Sequence, residues 1–127
     1  MYQAYLEDQH ETRPGGSRDS FERFLYESPT MTLEMTYRVG GRIGGIGIVD
    51  VTPACLSSVY FYFDPAFRKR RFGVLSALFE IQECRRQNLP YWYAGYYVRD
   101  CAQMKYKAEY RPFELLGSDG QWHPQDS

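Results

Sequence analysis

The chain has 127 residues, 43% of them hydrophobic and 17% aromatic, with a formal net charge of −1 at pH 7. That length holds one domain with a single core, and that apolar fraction builds it without disulfides. The near-neutral balance excludes a general nucleic-acid coat, which is basic across the whole domain, so any contact with nucleic acid has to be local.

Tyr2, Tyr5, Leu6 and Gln9 have helical spacing, and Arg13-Pro14-Gly15-Gly16 ends that helix. A second helix starts near Asp19, whose pairing with Glu22 fits a capping box, and buries Phe21, Phe24 and Leu25. Over residues 32–39 the period becomes two, with Leu33, Met35, Tyr37 and Val39 on one side and Glu34, Thr36 and Arg38 on the other. Gly40-Gly41 turns the chain into a strand over 42–51, where Gly44-Gly45 marks a bulge, and Thr52-Pro53 leads to a third strand over 56–63. These three form an antiparallel meander. A helix over about 72–87 carries Val74, Ala77, Leu78, Ile81 and Cys84 as its apolar stripe and stops at Asn88-Leu89-Pro90. The strand over 91–98 then rejoins the sheet parallel to the third, through a right-handed crossover. Asp100 and Gln103 cap a helix to about residue 108, 111–116 is a last strand, Ser118-Asp119-Gly120 is a turn, and the tail beyond Trp122 frays. The fold class is α+β, a single domain over residues 1–127. Its sheet is mixed and mainly antiparallel, with flanking helices and one parallel βαβ crossover.

Cys55, Cys84 and Cys101 make neither a CxxC pair nor an even disulfide framework, and read as the reduced thiols of a cytosolic protein. There is no bilayer-length apolar run and no signal-peptide pattern, so a soluble, cytoplasmic protein without membrane contact is expected.

Strand parity puts Ser58, Tyr60, Tyr62 and Asp64 on one face of the third strand and Val59, Phe61 and Phe63 on the other, core side. Four cations, Arg68, Lys69, Arg70 and Arg71, follow at the mouth of the next helix, where the macrodipole disfavours them unless an anion arrives. Guanidinium forks, free N–H groups and the close approach allowed by Gly73 make a phosphate site; the alternative is a solvated basic turn. The strand 91–98 is aromatic on both faces, and Trp92, Tyr96 and Tyr97 can pack in the core or offer rings to a nucleobase or acyl group. Lys105, Lys107 and Arg111 add charge downstream. His10 and His123 lie near the two ends, so no Cys-His nucleophile pair forms, and no metal cluster is visible.

The meander, the basic Gly-containing turn and the parallel strand beyond it resemble a GNAT-type acyltransferase, whose pyrophosphate turn is written [QR]-x-x-G-x-[GA]. Arg70 and Gly73 match it, and Leu75 stands where the last small residue belongs. The chain more closely resembles the carboxy-terminal domain of the aminoacyl-tRNA-protein transferases, the arginyltransferases and the bacterial aspartate/glutamate leucyltransferases. Carrying that resemblance are Gln9-His10, Phe24-Leu25-Tyr26 with Ser28-Pro29, Gly47-Ile48-Val49-Asp50-Val51, the run from Leu56 through Pro65, and Pro90-Tyr91-Trp92-Tyr93. It continues in Gly95-Tyr96-Tyr97, in Met104-Lys105-Tyr106-Lys107-Ala108, and through Tyr110-Arg111-Pro112 to Glu114-Leu115-Leu116.

The resemblance implies a GNAT-like fold and transfer of leucine or arginine from charged tRNA to the α-amine of proteins with acidic amino-terminal residues, tagging them for degradation. Aminoacyl-tRNA is the co-substrate and no other cofactor is implied. The family's amino-terminal cysteine-containing domain is expected to be missing from these residues. On this reading Asp64 holds or deprotonates the incoming amine, and Tyr60 and Tyr62 line the acyl site. Arg68, Lys69, Arg70 and Arg71 grip tRNA phosphates with Lys105, Lys107 and Arg111 adding charge, while Trp92, Tyr96 or Tyr97 stacks the terminal base. The alternatives are an acyl-CoA-dependent N-acyltransferase and a non-catalytic tRNA- or degron-binding module.

Overall fold

A computed structural model describes residues 1–9, 22–23 and 29–125; the expected second helix, with Asp19, Phe21, Phe24 and Leu25, lies almost wholly outside them. The chain divides into two compact units, Met1–Gly95 and Tyr96–Ser127. The first contains helix α1 (Tyr2–Gln9), strands β1 (Met31–Val39), β2 (Arg42–Val51) and β3 (Cys55–Phe63), a 3-10 helix (Pro65–Arg70), helix α2 (Phe72–Arg86) and strand β4 (Tyr91–Tyr93). The sheet order is β1-β2-β3-β4. The first three strands are antiparallel, and β4 runs parallel to β3. The architecture is α+β with a mixed sheet, as the periodicity indicated.

Glycines shape the first hairpin. Gly40 and Gly41 both have positive φ, 55° and 80°, as a two-residue turn between right-twisted strands requires. Tyr37 pairs with Gly45 while Arg38 pairs with Ile43, so Gly44 is the extra residue of a bulge. A Cβ on Gly44 would stand 2.9 Å from Cε2 of Phe72 and 3.2 Å from Cδ2 of Phe67. The bulge therefore lets two rings beyond β3 close on the sheet.

A second bulge, at Val59, corrects the expected parity. Ile48 pairs with Tyr60 but Val49 with Ser58, leaving Val59 unpaired in the ladder and 40% exposed. The extra residue reverses the alternation. Ser58 reaches α2, whereas Tyr60 and Tyr62 pack with Ile48, Ile46, Tyr2 and Tyr5. The second cluster joins Val49, Leu56 and Cys84 with Leu33, Met35, Val51, Leu89 and Trp92.

Helix α2 begins and ends where expected; of its expected stripe Ala77 and Cys84 are buried and Val74 and Ile81 half-buried, but Leu78 is not. Phe72, Ser76, Ala77, Glu80 and Cys84 are buried, while Leu78 is 52% exposed. Two polar residues take core positions because they bond to one another and to the sheet. Strand β4 stops at Tyr93, short of the expected 98, and Gly95 then takes a positive φ of 79°.

In the second unit, residues 102–109 form a 3-10 helix instead of an α-helix, and Cys101, not Asp100, is its N-cap. None of its residues is buried, so no apolar face rewards a longer regular helix. Strand β5 is shorter than expected, Glu114–Leu116, and pairs antiparallel with β6, Trp122–Pro124. The tail expected to fray past Trp122 is thus held through Pro124 by that ladder.

Candidate functional site

The carboxylate that ends β3 starts the next element. Asp64 is the N-cap of the 3-10 helix, where Oδ1 accepts from the Ala66 N–H at 2.9 Å and Pro65 supplies the preset φ of the first turn. Its Oδ2 lies 3.5 Å from a guanidinium nitrogen of Arg42, an ion pair whose arginine is 72% exposed and which contributes at most about 1 kcal/mol.

The cations are placed differently from the expectation of a single helix mouth. Arg68, Lys69 and Arg70 form the last turn of the 3-10 helix, where positive charge is favourable. Arg71 alone caps α2, in the left-handed region at φ 52° and with no side-chain cap hydrogen bond. All four are exposed. The guanidinium groups of Arg42 and Arg70 stand 5.8 and 6.0 Å from the centre of the Phe67 ring, so that ring helps gather the charge. Gly73, in the first turn of α2, is exposed, and a Cβ there would meet nothing within 4 Å.

Tyr60 and Tyr62 form an aromatic cluster with α1. Tyr2 packs edge-on to both, at 6.1 and 5.2 Å between ring centres, and Tyr5 packs on Tyr60 at 6.2 Å. Burial, reinforced by Tyr5 and Tyr2, pushes the Tyr60 hydroxyl up to about 12, so it acts only as a neutral phenol near pH 7. Tyr62 is 3% exposed and belongs to the core.

A polar group not singled out from the sequence lies on the other face of the sheet. Glu80 is 1% exposed. Its Oε1 accepts from Ser76 at 3.2 Å and from Ser58 at 3.4 Å, and its Oε2 accepts from the indole N–H of Trp92 at 2.8 Å. The Tyr37 hydroxyl donates to Ser76 at 3.4 Å. Burial raises the proton affinity of Glu80, and the three donors partly offset it. Trp92 therefore spends its donor inside the first unit. Spacing alone could have revealed this group, because Phe72, Ser76, Glu80 and Cys84 fall every four residues on one helix face.

In the second unit Tyr96 is 90% exposed, Tyr97 is half-buried and Lys105 is exposed. Lys107 donates to the Tyr96 carbonyl at 2.8 Å, and burial lowers its pKa. Arg111 donates to the Gln125 carbonyl at 3.3 Å and covers the Phe113 ring at 5.4 Å. Among the described residues no three His, Cys, Asp or Glu side chains converge as a metal site, and no helix is long and apolar enough to cross a membrane.

An α+β unit with a basic turn between a sheet strand and the next helix is one of many such arrangements, and comparison with known proteins narrows it. Residues 1–117 match the family described as "Arginine-tRNA-protein transferase, C terminus", and the chain belongs to that family. It is 37% identical over 121 residues to an aspartate/glutamate leucyltransferase of Hahella chejuensis, covering 94% of this chain and 52% of that protein. It is 36% identical over 138 residues to arginyl-tRNA--protein transferase 1 of Arabidopsis thaliana, covering 91% of this chain and 22% of that protein. A 63% share of the chain is 47% identical to arginyl-tRNA--protein transferase 1 of Dictyostelium discoideum, of which it spans 14%. The chain thus spans about half the length of the bacterial relatives it matches and less of the eukaryotic ones.

Proposed function

We propose that this chain is the GNAT-like catalytic domain of a cytoplasmic aminoacyl-tRNA-protein transferase. It moves leucine or arginine from charged tRNA to the α-amine of proteins with an acidic amino-terminal residue, as an N-degron tag. The observation that carries the reading is the basic turn: four exposed cations and an unobstructed Gly73 between β3 and α2, in a chain of this family. In the reaction the amine nitrogen bonds to the ester carbonyl carbon, the bond to the terminal ribose oxygen breaks, and the proton lost by the amine goes to that oxygen. The ester is already activated, so positioning and oxyanion stabilisation are what the protein must supply. Arg68, Lys69, Arg70 and Arg71 bind acceptor-end phosphates; Lys105 is a further phosphate contact, and Lys107 and Arg111 hold the second unit together beside it. The exposed ring of Tyr96 is the stacking surface, with Tyr97 half-buried behind it in sequence. Tyr60 is a neutral hydroxyl donor, Tyr62 backs it from the core, and Asp64 receives the incoming amine. Incubating the protein with leucyl- or arginyl-tRNA and peptides beginning with Asp, Glu or Ala tests the reading: aminoacylated acidic peptides support it, and saturable binding of acetyl-CoA without any transfer sinks it.

Substitutions at two positions probe the parts. Asp64→Asn keeps a cap of equal quality and loses only the exposed Arg42 pair, so urea unfolding is expected to stay within about 1 kcal/mol of the parent, whereas Asp64→Ala is expected to lose about 1 kcal/mol more than Asp64→Asn. Transfer by Asp64→Asn is expected to fall only about tenfold, because an α-amine with a pKa of about 7.7–8.0 is already partly neutral near pH 7. Parent-rate transfer by Asp64→Asn would remove Asp64 from the mechanism. Gly73→Ala separates folding from binding. The new methyl meets nothing in the protein, so stability is expected to rise by about 0.5–1 kcal/mol from helix propensity. If a phosphate approaches that backbone, tRNA affinity falls at the same time; unchanged affinity, measured by filter binding, moves the contact elsewhere.

A further inference from the structure

We infer that Glu80 is a positioning residue for transfer: it ties Ser58 of β3 and Trp92 of β4 to α2 at the point where those two strands stop pairing, and so fixes the gap that opens between them. The inference rests on the transferase reading for its consequence in catalysis, but not for its geometry.

Strand β4 is held to β3 by only three register pairs, Cys55 with Tyr91, Leu56 with Trp92 and Ser57 with Tyr93. Beyond Ser57, β3 continues for residues 58–63 without β4. Glu80 reaches both sides of that fork, through Oε1 to Ser58 and Oε2 to Trp92. A second tie comes from the Cys84 thiol, which donates to the Tyr91 carbonyl at 3.6 Å. The sheet leaves room for the carboxylate: a Cβ on Gly47 would stand 3.4 Å from Oγ of Ser76 and 3.7 Å from Oε1 of Glu80. Through Tyr37 and Ser76 the group also reaches β1. Ser58 of β3 and Trp92 of β4 thus bond to one side chain, which β1 reaches through Tyr37 and Ser76 and beside which β2 passes at Gly47.

An apolar residue would fill the same space without the penalty of burying a carboxylate. What the carboxylate adds is direction. Ser58 immediately precedes the bulge at Val59, the step that sends Tyr60 and Tyr62 to the opposite face. A bond on Ser58 holds the strand on the α2 side up to that step. Loss of it frees the bulge to migrate, and a one-residue slip turns Tyr60 away from its cluster. Among the described residues no cation pairs with Glu80, so the group acts as an acceptor hub and not as half of an ion pair.

Ser58→Ala and Trp92→Phe each remove one donor and keep the shape of the site; Phe also keeps a ring. Each is expected to lower kcat for transfer about tenfold, within the hundredfold that an ångström of misplacement can cost, with KM for charged tRNA unchanged. Glu80→Gln retains an acceptor for Trp92 and a donor for the serine hydroxyls, and is expected to keep far more activity than Glu80→Ala. Amide hydrogen exchange supplies a readout that needs no activity: Ser58→Ala and Trp92→Phe are expected to speed exchange at residues 58–60 and 91–93 while the β1–β2 ladder stays protected. Parent-like kcat in both variants, or loss through KM alone, overturns the positioning role. If the parent protein itself transfers nothing, the transferase reading has failed, and unchanged exchange at the fork then overturns the tie.

Discussion

Truncating Leu56 to alanine is expected to cost about 2–5 kcal/mol of folding stability, a large part of the roughly 5–15 kcal/mol that a small domain has. Leu56 is 0% exposed and lies where β3 pairs on both sides, opposite Val51 of β2 and Trp92 of β4. Its side chain fills the cluster with Val49 and Cys84, so the deleted methyl groups leave a cavity that two strands and a helix cannot jointly close. The urea midpoint should fall with little change in slope, because the surface exposed on unfolding is almost the same. Leu78→Ala is the control. Leu78 is 52% exposed, and its loss is expected to change stability by no more than about 0.5 kcal/mol. Equal effects at the two positions would place the core on the wrong face of α2.

The outline of the sheet was legible because its signals are local. Alternation marks β1 and β3, Gly40-Gly41 turns the chain into β2, and Gly44-Gly45 marks the first bulge, on which Phe72 presses. The parallel return of β4 followed from an intervening helix. What the residues did not reveal depends on partners far away in sequence. Nothing at Val59 marks a bulge, since a β-branched residue in an alternating run is what a regular strand contains. That single extra residue moved Ser58 to the opposite face from Tyr60. The stripe of α2 departs at two positions for a related reason: Leu78 counted as core and Glu80 was not among the stripe, but Glu80 finds three donors on α2, β3 and β4. Polar satisfaction outweighed hydropathy there. At the basic turn the composition was read correctly and the element was not. The cations close a 3-10 helix capped by Asp64, so their placement reflects a favourable helix end as well as any anion they meet.

That ambiguity is what the second large effect decides. Replacing Lys69, Arg70 and Arg71 together by glutamine is expected to make the dependence of tRNA affinity on salt shallower by about 2 in log–log slope, at about 0.7 per single-strand phosphate lost. Between 50 and 200 mM salt, the gap in affinity between parent and variant then narrows by roughly twentyfold. Folding is little affected, since the three side chains are exposed and their one ring contact among the described residues, Arg70 on Phe67, contributes about 0.5–1 kcal/mol. On the transferase reading the phosphates they would hold lie away from the reacting ester, so those contacts would stabilise bound tRNA and transition state alike. KM should rise while kcat at saturating tRNA stays near the parent value. A salt slope equal to the parent's, measured by filter binding with charged and uncharged tRNA, would reduce the cations to the solvated end of a 3-10 helix. A fall in kcat instead would mean that the turn orients the ester as well as holding the donor.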